Sequence, residues 1–320
     1  MLTQLTQPRL QQPVVQTPPA TLSYGVLLTY GSHAVGWRFE PRPVPVTLFH
    51  PSDGVTGEEA TFGDLARLAN EGPPAAGLEK TPVRSRRNAT PAAGRFPLVL
   101  FAHASPVGQL MMSEYLASHG FVVAGVMPRA GYRLSVDAIR AMVADLETAL
   151  RTVVELPFVD RDRIAVIGMS NGAFGAVGVG LRTRIAAIVS LDGTIAERAA
   201  ARILPDLVAV NPLPPQPRVL HLYTPDNQYL DLAQLKARGP GCVAVRVPAV
   251  AHGDFLSFGA LVPVGPPPFT RLRPAEKFAA MNRLTLEFLR NVFHGRQPLV
   301  RLTDGDRVLG LAQHACAPLN

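Results

Sequence analysis

The fold is decided by one stretch of the sequence, Ile164-Ala165-Val166-Ile167-Gly168-Met169-Ser170-Asn171-Gly172-Ala173-Phe174-Gly175. Its first part is a continuous apolar run, which predicts a buried β-strand. Its second part is rich in small residues and predicts a helix packed closely on that strand. Between the two lies a Gly-x-Ser-x-Gly pattern, in which a serine is held on a tight, strained turn and the glycines let the flanking backbones approach each other. Ser170 is therefore the candidate nucleophile.

Outward from this stretch, nine segments have the composition of β-strands. The first three are interrupted by glycine, proline or polar residues, as exposed or edge antiparallel strands are, and the later ones are apolar runs typical of strands covered on both faces. A mixed sheet is therefore predicted. The segments are Tyr24–Tyr30, Val35–Phe39, Val44–His50, Leu98–His103, Phe121–Met127, Ile164–Gly168, Ile185–Leu191, Val219–Thr224 and Val243–Val247.

Helical patterns lie between the later strands. Apolar residues recur every three to four positions in Ser135–Leu156, and Ser135 is placed to cap that helix. A second amphipathic helix is predicted over Ala275–Phe293, ending near Gly295. Alternation of strands and helices implies parallel crossovers. The predicted fold class is α/β, with a mostly parallel doubly wound sheet, antiparallel N-terminal strands and helices on both faces.

The domain organisation follows from composition. Residues 1–20 are rich in Gln, Pro and Thr and are expected to form a flexible tail. Residues 21–295 are expected to form a single domain, with a long excursion at residues 51–96 that contains a short helix over Glu59–Asn70 capped by Thr61. Residues 296–320 are expected to be an extension packed on the domain, with short strands at Leu299–Leu302 and Val308–Leu311.

Composition and charge exclude several classes of protein. With 47% hydrophobic and 17% charged residues, the chain has ample apolar surface to bury, which excludes global disorder. Its net charge is +7, but the arginines are scattered, and the dense group at Arg84, Arg86 and Arg87 has no interleaved aromatic residues. Nucleic-acid binding is therefore not expected. No apolar run reaches the roughly 18 residues that a membrane span requires, so no membrane span is predicted.

Cysteines and terminal signals add little. Cys242 and Cys316 are compatible with one disulfide or with two free thiols. Histidines and carboxylates lack metal-ligand spacing, and Gly-x-Gly-x-x-Gly is absent from the sequence, so neither a metal nor a cofactor is expected. The N-terminal residues do not have the pattern of a signal peptide. A cytoplasmic location is the default expectation, with a mature secreted form as the alternative.

Several segments together carry a resemblance to a known family. The chain resembles α/β-hydrolases, in the branch of dienelactone hydrolases and platelet-activating-factor-acetylhydrolase-like esterases, from about Val44 to His294. The resemblance implies that residues 21–295 are one α/β-hydrolase domain and that the activity is ester hydrolysis at a serine without a cofactor. The matching segments are Val46-Thr47-Leu48-Phe49-His50-Pro51, Pro97-Leu98-Val99-Leu100-Phe101-Ala102-His103, Glu114-Tyr115-Leu116-Ala117-Ser118-His119-Gly120-Phe121-Val122-Val123, the Ser170 stretch, and Ala251-His252-Gly253-Asp254-Phe255.

A serine nucleophile needs a histidine base and an acid. In this fold the acid follows the serine along the chain, and the histidine follows the acid. His252 lies in a loop five residues after a strand and before the last long helix, which makes it the candidate base. Two acids are geometrically admissible, because Asp192 and Asp226 each follow a neighbouring parallel strand. The resemblance favours Asp192, since Ser190-Leu191-Asp192-Gly193 is similar to the acid site of the acetylhydrolase branch, and Asp226 remains the alternative acid.

The remaining site residues concern the oxyanion and the substrate. The backbone N–H of Asn171, directly after the nucleophile, is one expected oxyanion donor. The resemblance implies that the N–H of Ser105 is the other, although this chain has Ala104 where the family usually has glycine. Phe255, Leu256 and Phe258 follow His252 and are expected to supply an apolar substrate-binding surface.

These observations predict a serine carboxylic-ester hydrolase that forms an acyl-enzyme on a small-molecule ester of short to medium acyl length. A thioesterase, an acyltransferase or a polyester hydrolase is compatible with the same triad, because the triad does not select the leaving group. A non-catalytic scaffold with a hydrolase fold is the alternative from another class. The sequence predicts no particular oligomeric state.

Overall fold

The computed structural model describes residues 20–22, 28–41, 43–68, 77–102, 105–127, 134–207, 215–238, 241–263, 272–297 and 300–316. Its strands are β1 (Ala20–Leu22), β2 (Ala34–Glu40), β3 (Val46–Ser52), β4 (Arg86–Arg87), β5 (Phe96–Ala102), β6 (Val122–Val126), β7 (Val159–Met169), β8 (Ala187–Leu191), β9 (Arg218–Tyr223), β10 (Cys242–Arg246), β11 (Leu261–Pro263) and β12 (Ala312–Ala315). Its α-helices are α1 (Phe62–Leu68), α2 (Pro106–Ser118), α3 (Val136–Val153), α4 (Gly172–Gly180), α5 (Ala200–Ile203), α6 (Leu272–Phe293) and α7 (Asp304–Val308).

Ten of these strands form one sheet, in the order β12-β10-β9-β8-β7-β5-β6-β3-β2-β4. Strands β5 to β10 run parallel to one another, whereas β3 pairs antiparallel with both β6 and β2, and β12 pairs antiparallel with β10. The predicted mostly parallel sheet with antiparallel N-terminal strands is therefore confirmed. A separate two-stranded pair joins β1 to β11.

Each face of the sheet carries its own hydrophobic core. On β5, Val99 and Phe101 belong to one core and Leu98 and Leu100 to the other, as the alternation of side chains along a strand requires. Helices α2 and α6 contribute to the first core, and helices α3 and α4 to the second. Burial on both faces explains why these strands are continuous apolar runs rather than alternating ones.

The predicted helices form with small differences at their ends. Helix α3 begins where the sequence indicates, because Ser135 Oγ accepts a hydrogen bond from Ala138 N at 3.2 Å. Helix α1 is shorter than predicted, and Thr61 Oγ1 accepts from Asp64 N at 3.3 Å at its start. Helix α6 begins three residues earlier than predicted and ends at Phe293, two residues before Gly295 adopts a φ of +66°.

Three predicted strands are not observed. Within Tyr24–Tyr30, residues 28–30 are not extended strand, and the remaining positions lie outside the described residues. The described part of Leu299–Leu302 is irregular. Val308–Leu311 is the end of helix α7 and the turn after it, because Thr303 and Asp306 form reciprocal cap hydrogen bonds that start a helix there. The predicted tail at residues 1–20 lies outside the described residues except for Ala20.

A disulfide joins Cys242 to Cys316, across 74 positions of sequence. It connects the first residue of β10 to the residue after β12, so β12 is linked covalently to β10. Of the two states that the sequence left open for these cysteines, the structure has the disulfide.

The excursion at residues 51–96 is fastened to helix α2 by a buried carboxyl. Ser85 donates to Glu114 Oε1 twice, from its backbone N at 2.8 Å and from its Oγ at 2.7 Å. Glu114 has no exposed surface, and burial raises the pKa of its carboxyl to about 7.

Candidate active site

Ser170 occupies a strained turn between β7 and α4. Its φ is +52°, in the left-handed region that costs a residue with a side chain about 1–2 kcal/mol. A Cβ on Gly168 would contact the carbonyl O of Gly172 and the N of Ala173, both of them backbone atoms. The turn is therefore so tight that only glycine fits two residues before Ser170.

Backbone hydrogen bonds on both sides fix this turn. Ser170 N donates to Leu191 O at 3.1 Å, which ties the turn to the end of β8. Ser170 O accepts from Thr194 twice, from its N and from its Oγ1, each at 3.2 Å. Thr194 was not predicted from the sequence, because no local signal marks a threonine that bonds a backbone 24 residues away.

Asp192 follows β8 at the same edge of the sheet. Its φ is +41°, its side chain is buried, and its N donates to Leu222 O at 2.7 Å. Thr224 N donates to Asp192 Oδ1 at 3.2 Å, which leaves Oδ2 for a second donor. Because β7, β8 and β9 are parallel and in register, Ser170 and Asp192 emerge side by side.

His252 provides that second donor. It begins a short 3-10 turn over His252–Phe255, which Ala251 N fixes by donating to Asp254 Oδ2 at 2.7 Å. His252 Nδ1 lies 2.6 Å from Asp192 Oδ2. The carboxylate is 2% exposed and the imidazole 50% exposed, so one end of the pair is buried and the other faces the cavity at Ser170.

The alternative acid lies elsewhere on the wall of the same cavity. Asp226 is exposed, its N donates to Thr224 Oγ1 at 3.4 Å, and its carboxylate makes no hydrogen bond to His252. The structure therefore brings Asp192, and not Asp226, to the imidazole.

The two expected oxyanion donors begin helices at the carboxyl edge of the sheet. Asn171 precedes α4 and lines the cavity next to Ser170. Ser105 caps α2, with its Oγ accepting from Gly108 N at 2.9 Å. Strand β5, which leads to Ser105, pairs Ala102 with Gly168, so the two helix starts follow adjacent strands. Ser105 is not among the described residues that line the cavity.

The cavity at Ser170 has a volume of about 570 Å³, and its wall combines polar and apolar surface. The three residues predicted to supply an apolar surface lie outside the lining of this cavity. Phe255 is fully buried in the core, Leu256 packs against that core, and Phe258 is exposed, and none of the three lines this cavity. The described lining residues are Leu134, Ser170, Asn171, Asp192, Thr194, Glu197, Thr224, Asp226, Asn227, Gln228, Tyr229, Val250, Ala251 and His252.

A second histidine lies behind the acid. His221 on β9 is fully buried, and its Nδ1 lies 2.9 Å from Ser190 Oγ. Burial lowers the pKa of His221 to about 4, against a smaller opposing effect of the Asp192 charge, so this imidazole is neutral at pH 7. His221 is a core residue of the sheet, as its apolar strand predicts.

Metal-binding clusters and membrane-spanning helices are both absent from the described residues. Within the ranges given above, no three His, Cys, Asp or Glu side chains are arranged to hold a metal ion. In the same ranges, no helix is long and apolar enough to cross a membrane.

Comparison with known proteins supports the fold. No protein-family model and no curated protein matches the sequence. Among solved structures, the chain is similar to a ferulic acid esterase from Streptomyces cinnamoneus, with a TM-score of 0.67 and 20% sequence identity, over 91% of this chain and 98% of that one. The chain has the α/β-hydrolase fold.

The α/β-hydrolase fold accounts for how these side chains meet. Ser170, Asp192 and His252 follow three different strands, at one edge of the sheet, and lie up to 82 positions apart in sequence. Sequence reasoning missed Thr194, Glu197 and Asn227, which lie after Asp192 and Asp226 in the loops that form the cavity wall. Polar residues in loops are too common for the sequence to distinguish these three.

Proposed function

We propose that this protein is a serine carboxylic-ester hydrolase that acts through an acyl-enzyme on esters of short to medium acyl length. One observation carries the proposal. The 2.6 Å contact between His252 Nδ1 and Asp192 Oδ2 lies in the same cavity as Ser170, which is itself held in a strained turn with φ of +52°. A buried acid, an oriented imidazole and an accessible serine are the parts of a nucleophilic triad.

The proposed reaction starts with proton transfer. With its Nδ1–H donated to Asp192, His252 presents the unprotonated Nε2 to accept the proton of Ser170 Oγ, and the oxygen attacks the ester carbonyl. The imidazolium then gives this proton to the leaving alcohol as the C–O bond breaks. Water, deprotonated by the same imidazole, releases the acid and restores Ser170. Asp192 orients the imidazole and stabilises the imidazolium.

The negative charge on the carbonyl oxygen needs preorganised donors. We assign this role to the backbone N–H groups of Asn171 and Ser105. Both residues lie at helix N-termini, where the helix dipole favours an anion. The adjacent strands that lead to them support this assignment.

Two further observations support the substrate class. The structural neighbour is described as a ferulic acid esterase, which agrees with hydrolysis of a carboxylic ester. A cavity of about 570 Å³ suits a small ester rather than a long acyl chain. The segments quoted from Val46 to Phe255 support assignment to the branch of dienelactone hydrolases and platelet-activating-factor-acetylhydrolase-like esterases.

The proposal is tested by labelling and by substitution. A fluorophosphonate probe is expected to label the wild-type protein and not Ser170→Ala. Turnover of 4-nitrophenyl butyrate is expected to fall by about 10³-fold or more in Ser170→Ala and in His252→Ala, because each removes a reacting group. Circular dichroism would check that both variants are folded. Near wild-type turnover by folded Ser170→Ala would refute the proposed nucleophile.

A further inference from the structure

The wall of the cavity carries two carboxylates besides that of Asp192. Glu197 and Asp226 both line the cavity that contains Ser170 and His252. Among the described lining residues there is neither lysine nor arginine, in a chain whose cationic residues outnumber its acidic ones by 31 to 24. The described part of this wall therefore carries negative charge, opposite in sign to the net charge of the chain.

Glu197 is held in place by polar contacts on both sides. Asn227 Nδ2 donates to Glu197 Oε1 at 3.0 Å. Glu197 is buried, with 9% of its surface exposed. Its backbone N donates to Thr194 O at 3.1 Å, and Thr194 in turn holds the Ser170 carbonyl. A bridge between Glu197 and Leu230 ties the same segment to the next loop. The carboxylate is therefore fixed in the wall of the cavity that contains the nucleophile.

The cation next to Glu197 in sequence does not neutralise it in the cavity. Arg198 Nη2 donates to the carbonyl O of Gln228 at 3.0 Å in an exposed position, and Arg198 does not line the cavity. Asp226 adds a second carboxylate, exposed at the same wall. A bound substrate thus faces two negative charges. Water screens the exposed Asp226 well and the buried Glu197 poorly.

We propose that this wall selects substrates by charge, admitting neutral and cationic esters and rejecting esters that carry a carboxylate near the scissile bond, with Glu197 as the main specificity-determining residue. The inference rests on the proposed ester hydrolysis. An anionic substrate would be repelled by the wall on binding and in the transition state, whereas the charge that develops on the carbonyl oxygen is common to neutral and anionic esters. For like charges about 8 Å apart at an effective dielectric constant of about 20–40, this repulsion corresponds to roughly 5- to 30-fold in kcat/KM.

The test compares matched esters that differ only in charge. In an acyl series, mono-4-nitrophenyl adipate would be compared with its methyl ester and with 4-nitrophenyl 6-(trimethylammonio)hexanoate, after subtraction of non-enzymatic hydrolysis. In an alcohol series, 3-acetoxybenzoate would be compared with methyl 3-acetoxybenzoate. The ratio of kcat/KM for the neutral and anionic members is the readout, because it cancels general effects of a substitution on catalysis.

The wild-type protein is expected to prefer the neutral member about 10-fold in at least one series. In that series Glu197→Gln, whose amide oxygen can still accept from Asn227, is expected to lower the ratio by about 5-fold, and Asp226→Asn by about 2-fold. Added salt is expected to reduce the effect of Asp226 more than that of Glu197, because exposed charges are screened more strongly. Glu155→Gln, an exposed carboxylate outside the cavity lining, makes the same change in net charge and is expected to leave the ratio unchanged.

The outcomes separate this inference from the proposed function. Neutral esters hydrolysed with a ratio near 1 in both series, or a wild-type ratio that Glu197→Gln and Asp226→Asn do not change, would overturn charge selection and leave the esterase proposal standing. Hydrolysis of none of the esters, with no fluorophosphonate labelling, would overturn both. Because Asp226 is exposed, its variant keeps the test decisive if Glu197→Gln does not fold.

Discussion

Asp192 and Asp226 both follow strands at the carboxyl edge of the sheet, and their hydrogen bonds distinguish them. Asp192 accepts from Thr224 N and contacts His252 Nδ1, whereas Asp226 points into solvent at the cavity wall. The residue that accepts the imidazole N–H fixes its tautomer, and loss of that role costs a serine triad about 10⁴-fold.

We therefore predict that Asp192→Asn lowers kcat for a neutral 4-nitrophenyl ester by about 10³- to 10⁴-fold, and that Asp226→Asn lowers it by less than about 3-fold. Steady-state kinetics of both variants, with thermal unfolding as the control for folding, measure the difference. The reverse ranking would make Asp226 the acid.

For single residues, the sequence predicts which residue is the candidate nucleophile more readily than whether a side chain is buried or lines a cavity. Ser170 is marked by its own neighbours, since glycines and an apolar run lie within a few positions of it. Phe255 shows the opposite case. An apolar residue next to a candidate catalytic histidine has the same local pattern whether it lines a cavity or packs in the core, and only the tertiary structure shows that it is buried.

Among the elements, the turn from β7 to α4 depends on the absence of a side chain at Gly168. A Cβ there would contact backbone atoms of Gly172 and Ala173, which cannot rotate away as a side chain would. We predict that Gly168→Ala lowers the free energy of unfolding by about 2–4 kcal/mol and reduces turnover at least 10-fold, because the turn must open.

Urea denaturation and ester hydrolysis measure these two effects. The matched control is Gly305→Ala in helix α7, where a Cβ would meet only Thr303 Oγ1 at 3.6 Å and φ is not positive. That substitution is expected to change stability by less than about 1 kcal/mol. Equal behaviour of the two variants would contradict the steric account.

Helix α2 and the excursion at residues 51–96 are coupled through the protonation of Glu114. Because burial raises the pKa of Glu114 from 4.5 to about 7, the stability that the neutral carboxyl contributes is complete below pH 4.5 and is lost as the pH rises through about 7. The loss amounts to about 3 kcal/mol at most.

We predict that Glu114→Gln becomes progressively more stable relative to the wild-type protein between pH 5 and pH 8. Urea denaturation of both proteins across this range measures the difference, which cancels the opposite trend expected from His221, whose lowered pKa favours folding at higher pH. A difference that does not vary with pH would show that Glu114 is ionised throughout.

At the element scale, the periodicity of the sequence predicts most of the helices and strands because burial on one or both faces leaves a regular pattern. Helix α7 is an exception with an identifiable signal. Thr303 and Asp306 have the spacing of a capping box, but the apolar residues at Val308–Leu311 favour a strand when that signal is not weighed. Pairing of β12 with β10 could not be predicted, because it joins positions about 70 apart in sequence.

For the whole molecule, the Cys242–Cys316 disulfide closes a loop of 74 positions that includes helix α6 and the end of β10. Loop-closure entropy for a loop of this length predicts a stabilisation of about 4 kcal/mol, and measured values for native disulfides are about 2–5 kcal/mol. We predict that reduction lowers the free energy of unfolding by about 2–4 kcal/mol.

Urea denaturation with and without a phosphine reductant tests this value. A double variant with Cys242→Ala and Cys316→Ala is the control. Because it has no disulfide, the reductant is expected to leave its stability unchanged. Equal stability of the oxidised and reduced wild-type proteins would contradict the predicted contribution of the disulfide to the free energy of unfolding.

The same disulfide is expected to protect the protein against aggregation. A sheet of ten strands has two edges, and an unpaired edge is a template on which another chain can add a strand. One edge ends in β4, which is only two arginines long, and the other is covered by the short strand β12. When the Cys242–Cys316 bond is broken, only backbone pairing holds β12 to β10, and each opening of that pairing exposes the unpaired N–H and C=O groups of β10 at Val243 and Val245 as a free edge. Reduced protein is therefore expected to aggregate through strand addition at concentrations where the oxidised protein stays dispersed.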